Sequence, residues 1–181
     1  MKVVAMLGSP HVNGVSSTVA RRLLEGARVA GHEVVVYELN AMNVRGCQGC
    51  RYCKDKGVDC RLDDDLEPYW KDLHECGALV VSAPNYCSQV CGPMITFMNR
   101  HYCLIDRERK PRIHPGIKLV GVFSQGGPTV NETSQRNYQW YLKDFQNRGM
   151  ALVDMLVAIG GMSLDDDSPM MEKAYAVGAG L

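Results

Sequence analysis

Short apolar runs alternate along the chain with longer stretches in which apolar residues recur every three or four positions. Lys2–Leu7 (KVVAML) is nearly unbroken and stops at Gly8-Ser9-Pro10. A continuous apolar run closed by turn residues predicts a strand buried on both faces. Ala78–Ser82 and Gly116–Ser124 read the same way, and His32–Leu39 and Ala151–Ile159 complete a set of five predicted strands. Between the first two, Ser16–Ala30 places Val19, Leu23, Ala27 and Ala30 on one helical face, with Arg21, Arg22 and Glu25 on the others. Gly31 ends that helix. Further helices are predicted from Asp63 to Glu75, where Asp63-Asp64-Asp65 would sit at the positive end of the dipole, and onward from Pro93. Two more follow, over Glu132–Arg148, with an apolar stripe of Tyr138, Tyr141, Leu142 and Phe145, and over Pro169–Val177.

Strands that alternate with helices predict an α/β fold with a parallel sheet covered on both faces. No repeat or linker interrupts the pattern, so residues 1–181 are expected to form one domain, with a cysteine-rich loop inserted at about 40–62. Sheets of this kind bind ligands beyond the carboxyl ends of their strands. Three loops fall there, Gly8–Ser17, Pro84–Gly92 and Gln125–Asn131, each rich in glycine, proline and small polar residues.

Composition narrows the function classes. Twenty basic and twenty acidic side chains balance, so nothing points to nucleic acid or an anionic membrane. Neither a signal peptide nor a run approaching the roughly 20 apolar residues of a membrane helix is apparent. A cytoplasmic protein is expected, and there eight cysteines speak for metal or redox chemistry more than for disulfides.

The first loop would bring its hydroxyls and amides to a helix N-terminus, a natural place for a phosphate. It lacks the Gly-Lys-Ser/Thr of a P-loop and the G-x-G-x-x-G dinucleotide fingerprint. Simple capping of the helix by Ser16 or Ser17 is the alternative. The second loop, Ser82-Ala-Pro-Asn-Tyr-Cys-Ser88, offers backbone groups and the Tyr86 ring to border a flat, partly polar ring system, or else is a surface turn. In the third, Ser124-Gln-Gly126-Gly127-Pro128, the glycines permit close approach of backbone to ligand.

Cys47, Cys50, Cys53 and Cys60 follow C-x2-C-x2-C-x6-C, three of them within seven residues. Four thiolates on a glycine-bearing loop suit a small inorganic cluster. Zinc is the rival, although its structural sites usually pair two separated knuckles; free thiols or disulfides are the third reading. Cys87 and Cys91 would flank the edge of a ring bound at the second loop and read either as redox groups or as small buried hydrophobes. Cys76 and Cys103 read as core or surface thiols. His74, His101 and His114 show no metal-ligand spacing. No general acid or base is required, and no catalytic side chain stands out.

Taken together, Gly8-Ser9-Pro10, Asn13-Gly14 before a helix, the cysteine loop, Asp63-Asp64 and Ser82-Ala-Pro-Asn-Tyr86 resemble the NADPH-dependent FMN reductase family, and within it the iron–sulfur flavoproteins. The resemblance runs over most of residues 1 to about 128. It implies a flavodoxin-like, doubly wound five-stranded parallel sheet of order 2-1-3-4-5, with FMN as cofactor and assembly into a homodimer or homotetramer. It implies that Ser9, His11, Ser16 and Ser17 bind the phosphate, with Asn13 and Val15 also at the cofactor. Pro84, Asn85, Tyr86, Ser88 and Gly126 would frame the ring, with Cys87, Ser124 and Gly127 also at the cofactor. Cys47, Cys50, Cys53 and Cys60 would ligate a [4Fe-4S] cluster. The electron donor would be NAD(P)H or a ferredoxin-like protein. The chain departs from the family pattern at His11, often arginine in members, and at Val15-Ser16, often Asn-Thr. Two other functions stay open: an NAD(P)H-dependent FMN or quinone reductase without a cluster, and a non-catalytic redox-sensing or zinc-stabilised flavin-binding module.

Overall fold

The computed structural model describes all residues, 1–181. Strands β1 (Lys2–Leu7), β2 (Glu33–Glu38), β3 (Ala78–Tyr86), β5 (Lys118–Ser124) and β6 (Ala151–Ala158) form a parallel sheet in the order β2-β1-β3-β5-β6. A two-residue strand, β4 (Gln89–Val90), folds back antiparallel on the end of β3. Counting only the five long strands, this is the expected flavodoxin-like order 2-1-3-4-5.

Two-sided burial explains the unbroken apolar runs. Val4 and Met6 of β1 face a core of 28 buried residues under α3 (Glu67–Glu75), α4 (Gly92–Arg100) and α5 (Glu132–Gln146). Val3, Ala5 and Leu7 face a second core of 17 residues under α1 (Val15–Val29) and α6 (Pro169–Ala179). The predicted α5 stripe of Tyr138, Tyr141, Leu142 and Phe145 is wholly buried, as are Val19, Leu23 and Ala27 of α1, whereas Ala30 is exposed. Where α1 crosses α6, Gly26 lies against the Tyr175 carbonyl and Gly178 against that of Leu23, so the helices meet backbone to backbone. No helix is long and apolar enough to cross a membrane.

Two elements depart from the sequence pattern. β3 continues past Ser82 through Pro84 to Tyr86. Its β1 neighbour stops at Leu7, opposite Ser82, so Pro84 pairs only with β5, and its missing N–H interrupts no ladder toward β1. A single turn, α2 (Tyr52–Lys56), forms within the cysteine loop, and the helix predicted from Asp63 is α3, which starts at Glu67. Asp64 and Asp65 are spent elsewhere, accepting backbone N–H bonds from Arg45 (3.1 Å) and Asn43 (2.7 Å) at the start of the cysteine loop. The aspartates are a clasp for that loop and not a helix cap.

Candidate functional site

A cavity of about 810 Å³ opens at the carboxyl ends of β1, β3, β5 and β6. From the first loop Ser9, His11, Asn13, Val15 and Ser16 line it. Pro84, Asn85 and Tyr86 line it from the end of β3, and Ser124 and Gly126 from the end of β5. Ten residues expected around a cofactor therefore share one cavity.

The first loop turns tightly. His11 N–H donates to Ser9 Oγ (3.1 Å), and Gly14 N–H donates to the His11 carbonyl (2.9 Å). Gly14 is the N-cap residue of α1 and supplies no capping side chain, so capping by Ser16 or Ser17 does not occur. Both serines lie in the first turn of the helix, 1% and 0% exposed, and neither Oγ has a partner. An uncapped fifteen-residue helix leaves its first N–H groups and its positive dipole end free for an anion. Buried hydroxyls without partners are costly unless something else engages them. No lysine, arginine, aspartate or glutamate lines the cavity, so favourable charge for a phosphate falls chiefly to the helix N-terminus, with His11 beside it.

On the opposite wall Asn85 Oδ1 is likewise buried without a partner, and the Tyr86 ring is 47% exposed at the mouth. Tyr86 begins a two-residue hairpin whose central residues, Cys87 and Ser88, both have positive φ (51° and 64°), the mark of a type I′ turn. Without glycine there, the conformation needs outside support. α5 provides it, through Asn137 Nδ2 donating to the Ser88 carbonyl (2.9 Å) and the Tyr141 hydroxyl donating to Gln89.

Four expected residues do not line the cavity. Cys87 and Ser88 sit at the exposed tip of that turn, Gly127 lies one residue beyond the lining, and Ser17 is buried outside it. Ile159, Gly160, Gly161 and Met162, after β6, do line it and were not anticipated. Gly160 presses on the Gly126 carbonyl, where no Cβ fits, and its N–H donates to the Gly127 carbonyl (3.1 Å). The available signal was a fourth glycine-bearing loop at a strand end.

The cysteine loop lies at the far end of α4. Cys47, Cys50, Cys53 and Cys60 line one narrow cavity together with Arg100 and a fifth cysteine, Cys103. Cys47 and Cys50 are exposed and Cys53 is buried, with all eight cysteines free. No three histidine, cysteine or acidic side chains stand grouped to hold a metal ion. Burial pushes the Cys103 thiol up to about 12, so it stays protonated. The donor set suits a thiolate-bound cluster in kind and number, although the sulfurs are not drawn together. α4 joins the two regions. Near its start the Cys91 thiol donates to the Gly8 carbonyl under the first loop (3.0 Å), and at its end Arg100 Nε donates to Cys60 Sγ (3.2 Å). Cys91 is thus a buried structural thiol, and burial pushes its pKa up.

Outside both regions, His101 is fully buried and shares a 2.7 Å hydrogen bond with the Tyr69 hydroxyl, a structural role. A further cavity of about 770 Å³ beside the cysteine loop is lined by Arg51, Lys54, Arg107, Arg109 and Arg148, against Asp106 and Asp144.

Residues 1–162 match the family model for NADPH-dependent FMN reductase. An iron–sulfur flavoprotein of Methanocaldococcus jannaschii is 28% identical over 143 residues, which cover 78% of this chain and 72% of that protein. An iron–sulfur flavoprotein of Archaeoglobus fulgidus is 30% identical over 128 residues, covering 67% of this chain but only 62% of that protein's length. Among solved structures, an NAD(P)H:quinone oxidoreductase from Methanothermobacter marburgensis superposes with a TM-score of 0.75 at 21% identity, covering 99% of this chain and 96% of that one. At that identity the likeness concerns the fold.

Proposed function

The chain belongs to the NADPH-dependent FMN reductase family, and from that premise we propose that it is an FMN-dependent oxidoreductase in which a [4Fe-4S] cluster on the cysteine loop exchanges electrons with the flavin. Supporting the flavin half is one observation above the others: an uncapped helix start set beside the buried, partnerless hydroxyl of Ser16 in the cavity wall. Bound FMN supplies the exchange of electrons singly or as a hydride. The α1 N–H groups with Ser9, Ser16 and His11 would hold its phosphate, the backbone near Asn13 and Val15 closing that end. Pro84, Asn85, Tyr86, Ser124 and Gly126 would frame the ring, with Tyr86 at the mouth screening one side from water. Cys87, Ser88 and Gly127, set back from the cavity, take no part.

Cys47, Cys50, Cys53 and Cys60 would hold the cluster, which supplies single electrons. The donor set supports this, as do the names of the two archaeal relatives. NAD(P)H is the donor proposed for the flavin, and residues 1–181 are proposed to act as one FMN-binding domain. A second reading, NAD(P)H-dependent FMN or quinone reduction with the four cysteines as free thiols, is favoured by the absence of any three grouped ligands.

Anaerobic purification followed by heat release of flavin and by iron and sulfide analysis tests both halves. One FMN per chain, with about four irons and four sulfides, is expected. FMN without iron selects the second reading. Failure to bind added FMN sinks both.

A further inference from the structure

Arg100 is the only lysine or arginine in the chain that is buried, at 1% exposure. Removing a guanidinium from water is costly unless its charge and its donors are met. Its charge is met by Asp64, whose side chain is also 1% exposed. Burial opposes the Asp64 carboxylate, but the Arg100 bond and the N–H groups of Arg45 and Leu66 more than offset it and hold the pKa below the ordinary value.

The donors are distributed unusually. An arginine serving only its carboxylate tends to present two parallel N–H bonds to it. Here Nη1 alone engages Asp64 and also donates to the Arg45 carbonyl (2.8 Å). Nε is given to Cys60 Sγ at 3.2 Å. Nη2 is buried with no partner, and Arg100 lines the narrow cavity it shares with the four cysteines of the loop. The ion pair therefore ties together the two arms of the loop, at Arg45 and at Cys60–Asp64, while the rest of the guanidinium is left to sulfur.

We propose that Arg100 is a positioning residue for the cysteine site, fixing the Cys60 sulfur and making the reduced state of a bound iron–sulfur cluster easier to reach. The inference rests on the cluster reading above. A fixed cation and N–H···S bonds in a buried site favour the state carrying more negative charge on sulfur, which for a cluster is the reduced one. A purely structural ion pair would leave that balance untouched.

Anaerobically purified wild type, Arg100→Gln and Arg100→Lys are compared by iron and sulfide content and by EPR-monitored redox titration, with circular dichroism and FMN content reporting on the fold. Arg100→Gln is expected to retain FMN and to shift the cluster equilibrium about tenfold against reduction, ~59 mV for a one-electron couple. Arg100→Lys keeps the charge, but one ammonium cannot serve Asp64, Arg45 and Cys60 together. A smaller shift in the same direction is expected, and this variant decides if Arg100→Gln does not fold. An unchanged midpoint in a folded, iron-loaded variant overturns the inference and leaves the cluster reading intact. Wild-type protein with FMN but no iron overturns both.

Discussion

Gly178 of α6 faces the main-chain carbonyl of Leu23 in α1 so closely that a single methyl group would overlap the oxygen. The contact sets how α1, and with it the proposed phosphate-binding turn, lies on the sheet. Gly178→Ala is expected to lower stability by about 2 kcal/mol through overpacking, seen as a fall of several degrees in thermal midpoint. Gly180→Ala meets nothing closer than 3.4 Å and serves as the neutral control. Equal melting of the two variants would contradict the close approach.

Ser16→Ala separates a binding hydroxyl from a structural one. Its Oγ has no partner within the protein, so removing it should leave the flavin-free thermal midpoint unchanged or slightly raised. Affinity for FMN should fall about tenfold, close to one hydrogen bond to a charged group. Flavin fluorescence quenching measures the second quantity. A variant that melts early but binds FMN normally would reverse the assignment.

Tyr86 and Cys50 lie on different loops at opposite ends of α4, and their losses should be separable. Tyr86→Ala is expected to weaken FMN retention by about 1 kcal/mol, the scale of an aromatic stacking contact, with iron unchanged. Cys50→Ala should remove iron and keep FMN. Cofactor analysis of both proteins checks this, and joint loss of both cofactors in either would show that the two sites are one.

His101 makes stability depend on mildly acidic pH. Burial foremost, and then the nearby Arg148 and Arg100 charges, hold its pKa well below the ordinary 6.5. The folded chain therefore keeps this ring neutral while the unfolded chain takes up a proton below about 6.5, so the contribution is full above that pH and declines as pH falls. Urea titrations of wild type and His101→Gln from pH 7.5 to 5 should converge, their difference narrowing by up to about 1.4 kcal/mol per pH unit. Parallel curves would place the titration elsewhere.

Most of the architecture was readable because both faces of the sheet are covered. An apolar run such as Lys2–Leu7 has no polar side to obscure it, and its bounds match the strand. The stripe of α5 was equally plain, since Tyr138, Tyr141, Leu142 and Phe145 all pack inward. The pocket was legible where turn residues follow a strand, as at Ser9 and Gly126. It was missed at Ile159–Met162, where only the β6 partner and the contact of Gly160 with Gly126 bring the segment to the cavity. Asp64 was misread because its partner, Arg100, lies 36 residues away and local spacing carries no trace of the pair. The cysteines were visible as a cluster in sequence, but whether four sulfurs converge is a matter of loop geometry that spacing does not determine.

α4 runs only from Gly92 to Arg100, about 12 Å at 1.5 Å per residue, and each end is fastened to a different site. Cys91 holds one end to Gly8, and Arg100 holds the other to Cys60. The helix is thus a ruler. Inserting or deleting one residue would rotate its far end by about 100° and turn Arg100 away from the cysteine loop while Cys91 stayed in place. Length variation between the two sites should be confined to the loops, and the spacing from Cys91 to Arg100 is the quantity this architecture can least afford to change.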